Sequence, residues 1–239
     1  MLNCSIYIYY LGVTESEPGL ALLDSKLKRR QAEACLDHAE RNRYQRFRSK
    51  KSADTFLLAR YLLKTALAKK LRCQACDVDF YIEDGGKPLL KNSDALHFSL
   101  SHCNKAIVFA ISDNNIGLDV EDRDRKGSPW RKPQTFFSEQ VAKDIVNSDP
   151  DVQQQRFFRY WTAMEALVKW QGSGIFQLRQ QFTTAEPLSH DGVFQFEEKS
   201  LITQSLKDAL QLCVVGPSPL LPTFYEWRQQ GFIKVDSLT

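Results

Sequence analysis

The sequence predicts an α+β protein, and three observations predict it. Each half of the chain sets one long helix before about three strand-like segments. Those segments are short and parted by turn signals such as Asp84-Gly85-Gly86 and His102-Cys103-Asn104. The composition, 43% hydrophobic and 26% charged, is that of a globular chain. At 239 residues there is room for one large domain or two small ones with an ordinary core. No residue-level repeat joins the halves, so a duplication would be one of structure.

The elements follow in order. Ser5 to Gly12 alternates as a strand does. A polar and basic region from about Asp24 to Phe47 reads as one mostly solvated helix. Ser52 to about Arg72 is a better amphipathic helix, with Phe56, Leu57, Ala59, Leu63, Ala66 and Leu67 able to face a core. Strands are expected at Val78–Glu83, Leu96–Ser101, Ala106–Ser112 and Ile116–Glu121. A loop with Gly127, Ser128, Pro129 and Pro133 leads to a helix near Ser138–Asn147. The second long helix runs from about Asp151 to Gln171 and stops at Gly172-Ser173-Gly174. Strand-like pieces close the chain near Gln181–Thr184, Val193–Glu197 and Ala209–Val215.

Composition excludes some functions. A net charge of +3 is too weak to argue for nucleic acid, though a local basic surface could still receive an acidic partner. Apolar runs such as Ala106–Ile111 are far shorter than the roughly 20 residues of a membrane span. The N-terminus lacks the basic start of a signal peptide. Six scattered cysteines, with one C-x-x-C at Cys73 and Cys76, are expected to be reduced thiols of a cytoplasmic protein.

Chemistry is suggested first by I-G-L-D-V-E, Ile116 to Glu121. Asp119 and Glu121 stand at i and i+2 of a strand, so both point to one side. Two like charges that close raise each other's pKa unless a cation lies between them. On the second long helix, Glu165 and Lys169 are spaced i,i+4 on one face with Phe158, Trp161 and Thr162. Alone, such a pair is an ordinary surface ion pair worth about 0.3–0.5 kcal/mol. Read with the strand acids, Glu165 completes three carboxylates, an oxygen shell suited to Mg²⁺, and Lys169 beside it suits phosphate. Upstream, Gly86-Lys87-Pro88 presents a lysine on a turn and F-S-L-S-H carries Ser101 into His102. Either alone is unremarkable.

The ordered set G-K-P, F-S-L-S-H, G-L-D-V-E, W-T-A-M-E-A-L-V-K and Q-G-S-G resembles the Sfp-type 4′-phosphopantetheinyl transferase family from about Arg60 to Gly174. The resemblance implies two similar α/β lobes in one chain forming a pseudo-dimer, each with a long helix packed on a small, mostly antiparallel sheet. It implies an N-terminal lobe over 1–113 that contacts coenzyme A phosphates and a metal-binding lobe over 114–239. It also implies a monomer that moves the phosphopantetheine arm of coenzyme A to a serine of an acyl or peptidyl carrier protein, releasing 3′,5′-ADP. Asp119, Glu121 and Glu165 would bind Mg²⁺. Lys169 would neutralise the leaving phosphate; Ser101, His102, Lys87 and Arg60 would contact the coenzyme A phosphates. Glu165, or a water held by Glu121, is the candidate base.

Two positions depart from the family pattern: Met164 replaces the usual lysine before Glu165, and Val141 stands where an acid is common. The aromatics Phe136, Phe137, Tyr160 and Trp161 read as core packing first and as pocket edge second. The basic stretch Arg41–Lys51 reads as a solvated helix end that could also touch coenzyme A or steer an acidic carrier. No G-x-x-x-x-G-K-[ST] loop is present, which excludes a P-loop enzyme. The remaining rival is a homologue that binds coenzyme A or carrier protein without efficient transfer. The served carrier, whether of fatty acid, polyketide, polyunsaturated lipid or nonribosomal peptide synthesis, is left open.

Overall fold

A computed structural model of the chain describes residues 5–13, 19–91, 93–127, 129–172, 182–184, 186–228 and 231–238. Its layers follow from the alternation of the strands. Strand β1 (Ile6–Gly12), β4 (His97–His102), β5 (Ala106–Ser112), β10 (Pro222–Arg228) and β11 (Gly231–Val235) form a five-stranded sheet in the order β11-β10-β1-β5-β4. Strands β6 (Gly117–Asp122), β7 (Gly192–Phe196), β8 (Lys199–Leu206) and β9 (Leu210–Pro217) form a second, fully antiparallel sheet in the order β6-β9-β8-β7. A two-stranded ribbon, β2 (Phe80–Ile82) and β3 (Pro88–Leu90), stands apart.

The two large sheets face each other. Even-numbered residues of β1 and β5, including Ile8, Val108 and Ala110, meet Leu118, Val120, Leu212 and Val214 of the second sheet in one apolar layer. The opposite face of the first sheet carries Leu11, Ile107, Phe109 and Ile111 against helix α3 (Lys50–Leu71). The opposite face of the second carries Cys213 and Val215 against helix α5 (Pro150–Gln171). The order is therefore helix, sheet, sheet, helix, and β5 is buried along its whole length because both its faces are covered. Two 22-residue helices, each on a small sheet, bear out the expected α+β fold of two similar lobes.

Both long helices begin and end as their sequences direct. Ser49 accepts a hydrogen bond from the amide of Ser52 at the start of α3. Asp149 caps α5, with Pro150 in its first turn and Gly172 left-handed at its end, φ 72°.

Three expectations are corrected. The region from Asp24 to Phe47 is two helices, α1 (Lys26–Ala34) and α2 (His38–Gln45), because Asp37 and Glu40 form a capping box that starts the chain afresh. Lys64 of α3, fully buried, holds this corner by donating to the Cys35 carbonyl (2.8 Å) and pairing with Glu40 (2.9 Å). The strand expected near Gln181–Thr184 is absent over Phe182–Thr184, where Phe182 is inserted in the core beside Tyr160 instead; Gln181 lies outside the described residues. The cysteines are not all free thiols, since the fold sets Cys35 against Cys76 in a disulfide with Cα atoms 4.1 Å apart. That removes thiol usage as an argument for the cytoplasm. Beyond Val215 the sequence reading names no strand. Strand β10 returns to pair in parallel with β1, so 222–235 completes the first sheet. Among the described residues no helix is long and apolar enough to cross a membrane. The helix expected near Ser138–Asn147 is α4 (Glu139–Val146).

Candidate functional site

Strand β6 gives the site its shape. Leu118 and Val120 enter the layer between the sheets, so Gly117, Asp119 and Glu121 face α5, as a period of two requires. At Gly117 the helix backbone comes so near that an added Cβ would lie 1.9 Å from the Ala166 carbonyl oxygen. From there strand and helix run in opposite directions. Asp119 meets Lys169, with Nζ 2.8 Å from Oδ1, and Glu121 meets Trp161, whose Nε1 donates to Oε1 at 3.0 Å. From Gly117 against Trp170 to Glu121 against Trp161, four strand residues and nine helix residues both span about 13 Å, so strand and helix stay in step. Glu165 lies between Trp161 and Lys169 on that helix face.

Strand β4 closes the other side. Ser99 and Ser101 share a face; the Ser99 hydroxyl accepts from the Leu118 amide at 2.9 Å, and Ser101 Oγ donates to Asp119 Oδ1 at 2.7 Å. Asp119 thus receives Ser101 and Lys169 on one oxygen. Its other oxygen, Oδ2, is buried with no hydrogen-bond partner. An unpaired buried carboxylate oxygen is costly and points to a missing cation or donor.

The electrostatics agree. Burial, joined by Asp119 and Glu165 and opposed by Arg125 and the Trp161 donor, pushes the Glu121 carboxyl up to about 7. Arg125 Nη1 stands 2.9 Å from Glu121 Oε1. As they stand, Asp119 is paired with Lys169 and Glu121 with Arg125, and the acids form no ready cage: among the described residues no group of three or more His, Cys, Asp and Glu is set to hold a metal. The orphaned Oδ2 and the mutual repulsion of the carboxylates nonetheless fit a small hard cation.

Beside this cluster a cleft of about 300 Å³ runs between the halves of the chain. Arg60, Lys87, His102 and Lys169 all line it, whereas Ser101, the other expected phosphate contact, is turned to Asp119 and does not. Arg60 stands over the rings of Phe56 and Phe80, 5.5 and 5.8 Å away. Its Nε comes within 3.4 Å of Glu40, yet neither atom has a hydrogen bond, so this is a loose ion pair. The His102 imidazole is lowered by partial burial and by Lys169, Arg43 and Arg60, which keeps it neutral at pH 7. Lys87 is differently placed from a free phosphate ligand. Its ammonium donates to the Trp170 carbonyl at 2.9 Å and to Asn115 Oδ1, and burial lowers it to about 8. The turn before it is equally tight, for a Cβ on Gly85 would overlap the Gly172 carbonyl at 1.6 Å.

Two cleft and cluster residues escaped the sequence reading. Arg43 was visible only as part of a basic stretch, but α2 brings it into the cleft. Asn115, whose Nδ2 also donates to the Trp170 carbonyl at 2.7 Å, carries no sequence signal. Met164 is fully buried in the core of the second lobe, and Val141 is buried at the start of α4. Neither lines the cleft. Phe137, Tyr160 and Trp161 pack in the same core, and Phe136 packs against it.

Comparison with known proteins adds two matches and several relatives. Residues 115–213 match a sequence profile described as "4'-phosphopantetheinyl transferase superfamily", and residues 25–114 match "4'-phosphopantetheinyl transferase, N-terminal". The chain is 29% identical over 205 residues to 4'-phosphopantetheinyl transferase psf-1 of Bacillus pumilus, covering 84% of this chain and 83% of that one. It is 35% identical over 145 residues to 4'-phosphopantetheinyl transferase AcpT of Escherichia coli O157:H7, covering 59% and 69%. With a 4'-phosphopantetheinyl transferase of Bacillus subtilis it shares 29% over 142 residues, 59% of this chain and only 62% of the relative's length.

Proposed function

The chain belongs to the 4′-phosphopantetheinyl transferase superfamily, as an Sfp-type member, and we propose that it transfers the phosphopantetheine arm of coenzyme A to a serine of an acyl or peptidyl carrier protein. The observation that carries this reading is Asp119. It is buried, tied to Ser101 and Lys169 on one oxygen and orphaned on the other, at the edge of a cleft lined by cations.

In the proposed reaction the serine oxygen bonds to the β-phosphorus of coenzyme A, the pyrophosphate P–O bond breaks, and 3′,5′-ADP leaves. Asp119 Oδ2, Glu121 and Glu165 would hold Mg²⁺, which supplies positive charge to the pyrophosphate oxygens. Lys169, oriented by Asp119, neutralises charge on the departing phosphate. Arg60, Arg43 and the neutral His102 bind and orient the nucleotide phosphates; Lys87 braces the end of α5 and reaches the same cleft. The serine proton goes to Glu165 or to a water held by Glu121. An N-terminal lobe over 1–113 for phosphates, a metal lobe over 114–239, a monomer and a cytoplasmic setting belong to the same reading.

The test is an intact-mass measurement on apo carrier proteins mixed with the protein, coenzyme A and Mg²⁺. A gain of one phosphopantetheine arm, lost with EDTA and lost by roughly 10²-fold or more in Glu165→Gln, is the expected result. Full turnover by the glutamine variant would remove both roles given to Glu165.

A further inference from the structure

Helix α3 has a second side, and a second cavity lies against it. This cavity measures about 650 Å³, within the range of about 300–1,000 Å³ usual for small-molecule sites. Among the described residues it shares no lining with the interlobe cleft. The cleft takes Ala59 and Arg60 from α3, whereas this cavity takes Tyr61, Leu62, Thr65, Ala66 and Lys69. A shift of two residues turns about 200° around a helix, so the two hollows are on opposite sides of it.

Its floor is an aromatic strip across β1, β10 and β11. Tyr9 pairs in register with Tyr225, and Trp227 with Phe232, so these rings share one face of the sheet. Tyr9 stacks on Tyr225 at 5.0 Å and meets Phe232 edge-on at 5.1 Å; Trp227 meets Phe232 edge-on at 5.1 Å. All four are only partly buried, although Leu11 and Phe109 on the same face of the sheet are fully covered. Around the opening stand Lys28, Lys69 and Lys70. Among the described residues no Asp or Glu lines the cavity, and none of the three lysines forms a salt bridge. Lys70 rests over the Tyr7 ring, 3.2 Å from its centre, with Asp113 the acid that acts on it.

We propose that this cavity binds a small amphipathic carboxylate, with its apolar body on the aromatic strip and its carboxylate at Lys69 and Lys70. The lysines decide the class: a hollow meant for neutral ligands would not gather three lysines that, among the described residues, lie outside any salt bridge and share the lining with no acid. Such a site is separate from the transfer reaction and would give an apolar acid a foothold on the protein that coenzyme A does not contest.

The test is calorimetric titration of the whole protein with decanoate and, in parallel, with decanol. Decanoate is expected to bind with a sub-millimolar Kd, decanol about tenfold or more weakly, and saturating coenzyme A should not displace either. Lys69→Gln with Lys70→Gln should weaken decanoate about tenfold and leave decanol unchanged. Ala66→Trp, checked for an unchanged melting curve, should abolish both by filling the space. No decanoate binding, equal binding of decanol, or displacement by coenzyme A would each overturn the proposal.

Discussion

Asp119 holds a proton donor and an ammonium on one oxygen while the other faces nothing, and that asymmetry sets what its replacement should do. Asn in its place keeps an acceptor for Ser101 but loses the charge that orients Lys169. Asp119→Asn should cost roughly 10²-fold or more in transfer rate with little change in far-UV circular dichroism. Lys87 offers a test of the opposite kind, in stability. Its folded pKa, about 8, lies below the ordinary lysine value of 10.5, so between those two values the unfolded chain holds more protons than the folded one. Stability therefore rises with pH across that window, and below about 8 the burial penalty is present in full. In Lys87→Met the contribution disappears. The Tm difference, wild type minus variant, should grow in favour of the wild type between pH 8 and 10, and a flat difference would show that Lys87 is not buried against Trp170.

At the scale of elements, the contact of α5 with β6 determines whether the acids and Lys169 meet at all. Gly117 permits it by having no side chain. Gly117→Ala puts a methyl 1.9 Å from a backbone carbonyl, which cannot swing away as a side chain would. The helix must retreat, at a cost of roughly 1–3 kcal/mol, and Lys169 retreats with it. Expected together are a lower Tm and a fall in transfer rate larger than the stability loss alone accounts for. A variant that is destabilised but keeps its rate per folded molecule would separate the packing from the site. The break between α1 and α2 belongs to this scale too. A four-residue capping box outweighs the continuous polar pattern around it, because two orphan amides are satisfied at once.

For the whole molecule, the governing fact is that the chain closes on itself. Strand β1 sits between β5 and β10, so the last described strands cover what would otherwise be an open edge of the first sheet. Deleting residues 222–239 should expose that edge, together with the rings of Tyr7 and Tyr9. Aggregation of the truncated protein on size-exclusion chromatography is the expected outcome, whereas a soluble, well-folded monomer would mean that β10 and β11 are accessory.

Much of the site could be read from residue order, and the reason is local. Period two put Asp119 and Glu121 on one face, and a spacing of four put Glu165 and Lys169 on another, since each depends only on backbone geometry within one element. The two long helices and the strands β1, β4, β5 and β6 were legible for the same reason. Strands β8, β10 and β11 were not, because their place depends on partners distant in sequence; the pairing of Ile6 with Pro222 has no local trace. The same holds for the Cys35–Cys76 contact, for Asn115 and Lys87 on the Trp170 carbonyl, and for the aromatic cavity behind α3. The sequence by itself determined which groups could carry the chemistry. Only the tertiary structure decided which of them meet, because a Lys169–Asp119 distance of 2.8 Å is set by how closely a helix lies on a strand, and that is decided by Gly117 and the packed layers on either side.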